Sequence, residues 1–77
     1  MRTIREIAVE IRKDWKNVNF GAKPYLDAMH QLQDMNSRYE FDSARSVVNY
    51  FLANASTWRG DTAKRIKKEL NDMLKGK

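Results

Sequence analysis

Ala44, Val47, Val48, Phe51, Leu52 and Ala55 recur at alternating steps of three and one. That spacing draws one stripe on a helix of 3.6 residues per turn. It cannot be laid on one face of a strand, where inward positions alternate. Asp42 or Ser43 stands where an N-cap belongs, offering a side-chain oxygen to the first free amides. A helix with so wide an apolar stripe must bury it against other elements, and here the other elements are also helical.

Three more segments carry the same period. Thr3 and Glu6 form a capping box ahead of Ile4, Ile7, Ala8, Ile11, Trp15 and Val18, which predicts a first helix over about 3–18 that stops before Gly21. Pro24 suits a first helical turn, and Tyr25, Ala28, Met29 and Leu32, closed by Met35, predict a second helix over about 24–35. The stripe above gives a third over about 43–56. Ala63, Ile66, Leu70, Met73 and Leu74 give a fourth over about 60–75, with Asp61 at its positive end and Lys75 and Lys77 at its negative end. Thr57 as a cap would start that helix at Trp58 instead. The stretch 36–41 has no helical period and reads as a loop, its Tyr39 and Phe41 expected over the core edge. The expected fold is therefore all-α: a compact bundle of about four short helices forming a single domain over 1–77.

Seventy-seven residues bury only about 60–65% of their unfolded surface, so the core is one thin layer. With no cysteine, disulfides and thiolate zinc sites are excluded. A homo-oligomer would be one way to add to so thin a core. No run reaches the ~18–20 apolar residues of a membrane span, and the first residues lack the apolar centre of a signal peptide, so the expected location is cytoplasmic. On that reading the sequon Asn54-Ala55-Ser56 and the adhesion tripeptide Arg59-Gly60-Asp61 are coincidences of spelling.

The side-chain inventory argues against an enzyme. His30 is the single histidine and pairs with no cysteine, the glycines form no phosphate loop, and Glu6/Glu10 and Glu10/Asp14 sit among basic neighbours on a helix face. No catalytic residue, metal ligand or cofactor is expected. The net charge of +5 lies at the ends: residues 1–20 carry five Lys/Arg against three acids, 21–56 three against four, and 57–77 seven against three.

Binding residues are sought where aromatics and cations coincide at breaks. Trp58-Arg59 combines a large ring with a guanidinium, the pairing favoured at interface hot spots and able to stack a base while holding a phosphate. Phe20, Lys23 and Tyr25 form a second grouping at the first break. Trp58, Arg59 and Tyr50, supported by Lys23 and Tyr25, are the expected partner contacts. The bland alternative is that Trp58 covers the open end of the bundle. A rival site for nucleic acid or phosphate comprises Arg45, Lys64, Arg65, Lys67 and Lys68, with the last two helices read as a helix-turn-helix. Against it, the run 64–68 spreads around the helix and Asp61 can pair with Arg65.

The stretch from Asp42 to Leu70, together with Trp15-Lys16-Asn17, Phe20-Gly21-Ala22 and Pro24-Tyr25-Leu26-Asp27-Ala28-Met29, resembles a group of short phage and prophage proteins without an assigned function. The resemblance covers nearly the whole chain and transfers no catalytic motif. It implies a stoichiometric binder of a host protein or protein–nucleic-acid complex, a counter-defence inhibitor of the anti-CRISPR kind. Two alternatives stand beside it: a DNA- or RNA-binding protein using the basic helix 61–75, and an oligomeric sponge for a cyclic nucleotide immune signal with Arg45 or Arg59 on the phosphates.

Overall fold

The computed structural model describes residues 2–39 and 42–76. Four helices, α1 (Ile4–Asp14), α2 (Lys23–Met29), α3 (Ala44–Ala53) and α4 (Asp61–Leu74), form an all-α bundle measuring 28 × 25 × 19 Å. α2 packs on α3 and α1 on α4, with α1 also touching α2. The segment expected as a plain loop instead contains a minimal antiparallel ladder, β1 (Arg38–Tyr39) with β2 (Asp42–Ser43). The expected packing of the Tyr39 and Phe41 rings falls outside the described side chains.

The capping box forms as the sequence predicts. The Glu6 amide donates to Thr3 Oγ1 at 3.1 Å, and the Thr3 amide to Glu6 Oε1 at 2.8 Å. The Thr3 amide and, with it, the Thr3 hydroxyl donate to the Glu6 carboxylate and hold it below its usual range. At its far end α1 stops at Asp14, four residues before the expected limit. Trp15 turns to extended backbone (φ −94°, ψ 90°), which carries its ring beneath the 54–60 connection.

α2 is also shorter than its pattern. After Met29 the chain tightens through 3₁₀-type bonds, from His30 to Asp27 O, Gln31 to Ala28 O and Leu32 to Met29 O. The carbonyls of Leu32 and Gln33 then accept the amides of Arg5 and Ile4, at 3.1 and 2.8 Å. α2 therefore ends where its continuation is needed to satisfy the orphan donors of α1. Leu32 keeps its predicted burial without being helical. Leu26, outside the predicted face, is fully buried as well, because α2 is flanked on two sides by α3 and α1.

Ser43 caps α3, accepting from the Ser46 amide at 3.1 Å. Gly60 settles the start of α4 at Asp61. Its φ of +112° with ψ of 177° lies in a region open essentially to glycine alone, which breaks the chain there and rules out a helix running on from Trp58.

The core runs through all four helices: Ile4, Ile7, Ala8 and Ile11 from α1, Leu26 and Met29 from α2, Val47, Val48 and Phe51 from α3, and Ile66 and Leu70 from α4. Trp15, Ala22, Leu32, Ala55 and Trp58 complete it from the connections. Arg2 clamps α1 to α4 by reaching Glu10 at 2.5 Å and Glu69 at 2.6 Å, and Arg65 reaches the other Glu10 oxygen. The Arg2 and Arg65 guanidiniums hold the Glu10 carboxyl below its ordinary range. No buried side-chain nitrogen or oxygen lacks a partner among the described residues.

Candidate functional site

The second break is filled from within. Trp58 is 2% exposed. Its ring stacks on Trp15 with centroids 5.6 Å apart and planes 8° off parallel, and meets Phe51 edge-on at 6.4 Å. Its Nε1–H donates to Asp14 Oδ2 at 2.8 Å, so the one polar atom of the indole is satisfied inside the fold. Trp58 therefore covers the open end of the bundle and has no face for a partner. The expectation that it is a contact residue is corrected: two aromatic neighbours and a carboxylate already consume what a partner would need. By sequence Asp14 is only one acid of the α1 helix face, paired with Glu10 among basic neighbours, and nothing local marks it as the indole's acceptor.

The basic residues of the rival site are mostly engaged at home. Arg45 donates to the Leu74 carbonyl at the C-terminal end of α4, where a cation is favoured. Arg65 is taken by Glu10 rather than by Asp61, and Lys68 pairs with Asp72 at 3.1 Å. Lys67 reaches back to the Trp58 carbonyl at 2.6 Å, its Nζ standing 5.8 Å from the indole centroid. Burial, then the nearby Arg59 guanidinium, push the Lys67 ammonium below its ordinary value. Lys64 has no partner among the described residues. It stands with Arg59 and Lys67 around a cleft of about 220 Å³ floored by Trp58 and Ala63. A helix-turn-helix joins its helices by about 3–4 residues. Here residues 54–60 intervene between α3 and α4, so that reading of the pair does not hold.

The first break is built in the opposite sense. Asn19 sews it down: its Oδ1 accepts from the Ala22 amide at 2.8 Å, and its Nδ2 donates to the Asn54 carbonyl at 2.7 Å. Gly21 then lies so close to α3 that a Cβ there would come within 2.7 Å of Asn54 Oδ1. Between these two fixed points Phe20 is 93% exposed. Its ring lines a cleft of about 290 Å³ with Lys23, Pro24 and Asp27. Asp27 is held by Arg12 of α1, which fixes that wall. Lys23 thus sits beside the ring, as the grouping in the sequence suggested. No local pattern announces the asparagine latch, since its two ends are 35 residues apart.

Tyr25 and Tyr50 are brought together. Their rings stack at 5.3 Å across the α2–α3 contact, with Tyr25 half-buried and Tyr50 54% exposed. Of the five expected partner contacts the structure places Lys23, Tyr50 and Arg59 at the surface, Tyr25 at its edge and Trp58 in the core.

His30 is half-buried between α1 and α2 and accepts from Arg12 Nε at 2.7 Å through its own Nε2. A guanidinium only donates, so that ring nitrogen carries no proton in this arrangement. Burial first, and then the Arg12 charge, lower the His30 pKa from its usual 6.5. Among the described residues no group of three or more His, Asp or Glu is placed to hold a metal ion, and no helix is long and apolar enough to cross a membrane. No family model, curated protein or solved structure matches the chain.

Proposed function

We propose that the chain acts by stoichiometric binding of a protein partner through the first break, with the Phe20 ring as anchor, Lys23 beside it and the exposed edge of Tyr50 as a further contact. Phe20 carries the reading. Burying a phenylalanine side chain is worth about 1.5–3 kcal/mol, and this fold leaves that free energy unused. A single exposed apolar residue is unremarkable in itself. Phe20 differs because Asn19 and Gly21 fix the backbone on both sides of it, so a partner meets a loop already ordered and little entropy is lost on docking. Aromatic residues are enriched in the buried centres of interfaces, where a neighbouring cation adds orientation.

The resemblance to short phage and prophage proteins makes the favoured partner an effector of a host defence, with the chain as a counter-defence inhibitor of the anti-CRISPR kind. The test is plating efficiency of a targeted phage on strains that each carry one defined CRISPR–Cas system and express the chain. Rescue of plating in at least one strain, with co-elution of purified effector and chain at fixed stoichiometry, is the expected result. Phe20→Ser with Lys23→Glu should abolish both while leaving the far-UV spectrum unchanged. Absence of rescue in every strain overturns the counter-defence reading; rescue that survives the double substitution overturns the surface.

A further inference from the structure

Three cations meet at the start of α4 without an acid among them. Arg59, Lys64 and Lys67 line one cleft together with Trp58, Gly60 and Ala63. Asp61, next to Gly60 in sequence, is exposed and does not line it, and the Asp14 carboxylate is occupied by the Trp58 indole. We propose that this cleft binds a phosphate group, held by the Arg59 guanidinium and the Lys64 and Lys67 ammoniums.

Four features support that ligand class. Like charges held together repel, and a doubly charged anion relieves the repulsion among all three at once. Burial and the Arg59 charge already act against the charged form of Lys67, which an anion would restore. Lys67 spends one of its three N–H donors on the Trp58 carbonyl and keeps two, while the planar fork of Arg59 matches two oxygens of a tetrahedral oxyanion. Gly60 provides no side-chain cap, and the positive end of the 14-residue α4 stands beside the cleft, adding a favourable field.

Size limits the ligand. About 220 Å³ falls below the roughly 300–1,000 Å³ of a pocket that encloses a whole drug-sized molecule. Trp58 is 2% exposed and cannot stack a base. The site therefore recognises the phosphate and leaves whatever carries it in solvent. This inference is independent of the reading of Phe20, which lies at the other break.

Sodium phosphate titrated into the full ¹⁵N-labelled chain, against sodium chloride at matched ionic strength, tests it. Saturable shifts are expected at the amides of Gly60, Asp61 and Thr62, with chloride moving them little. Arg59→Gln with Lys64→Gln alters two exposed side chains and should weaken binding at least tenfold. Arg5→Gln with Lys75→Gln, equal in charge change but placed at the start of α1 and the far end of α4, should weaken it less than twofold. Equal response to chloride, unchanged affinity in the first double variant, or equal loss in the second, each overturns the site. Parallel titrations with adenosine monophosphate and a duplex DNA of about 20 base pairs identify the carrier. Shifts at the same amides with the nucleotide alone point to a small phosphorylated ligand. Tighter, salt-sensitive binding of the duplex points to a nucleic-acid backbone.

Discussion

The two breaks of this bundle are written alike and folded oppositely. Phe20-Gly21-Ala22-Lys23 and Trp58-Arg59-Gly60 each set a large ring near a cation and a glycine. Trp58 is 2% exposed and Phe20 is 93% exposed. At the second break the ends of α1 and α3 leave a gap that Trp15 and Phe51 line, and a third ring closes it. At the first break the backbone itself closes against α3: Gly21 presses on Asn54, Ala22 is fully buried, and the Phe20 ring stays outside. An aromatic at a break thus faces inward only where the helices it joins have left room. The glycines differ in the same way, Gly21 serving close approach and Gly60 a backbone conformation closed to other residues.

The contrast is broken most directly by exchanging each ring for alanine. Trp58→Ala removes a stacked, hydrogen-bonded core ring and should cost about 3–5 kcal/mol, most of the stability of a small domain. Urea titration followed by circular dichroism should find it largely unfolded. Phe20→Ala should stay within about 0.5 kcal/mol of the parent in the same experiment. Equal losses from the two would erase the distinction.

Two supports of the second break come next. Gly60→Ala forces a side chain into a glycine-only region and should cost about 1–3 kcal/mol, seen as a lower urea midpoint with an unchanged slope. Asp14→Ala leaves the Trp58 N–H unpaired in a half-dry site and should cost about 1–3 kcal/mol. A ¹⁵N spectrum should show the Trp58 indole resonance moved while that of Trp15 shifts less.

The smallest effect is a pH dependence at the α1–α2 contact beneath the first break. The folded-state pKa of His30 lies below its unfolded value near 6.5, so the unfolded chain binds the proton more readily. Its contribution is complete above pH 6.5 and is lost as the pH falls through the folded value. Urea midpoints should therefore decline below pH 6.5, with a further decline below about 4.5 as Glu10 protonates. His30→Gln should flatten the first decline and leave the second. A midpoint that rises on acidification would show that the Arg12–His30 bond does not govern it.

How far the chain could be read before folding follows from the range of each interaction. The capping box, the Ser43 cap and the four apolar stripes depend on residues within one or two turns, and they placed all four helices. The sequence allows α4 to start at Trp58 or at Asp61, because local pattern does not report the positive φ of Gly60. The end of α2 departs from its apolar pattern because carbonyls of residues 32 and 33 are claimed by the first turn of α1, a demand from across the molecule. Lys67 and Arg65 belong by sequence to a basic run suited to phosphate, yet one is spent on the Trp58 carbonyl and the other on Glu10, partners that the local pattern does not report.

What the sequence determined alone, then, is the class and the number of helices, since a 3.6-residue period of apolar side chains has one economical solution in water. It also supplied the aromatic and basic residues from which any site must be built. Which of them face outward was decided only in three dimensions. Exposure is a property of the space between helices, and that space is set by contacts such as Trp58 to Asp14 and Asn19 to Asn54, whose partners lie 44 and 35 residues apart.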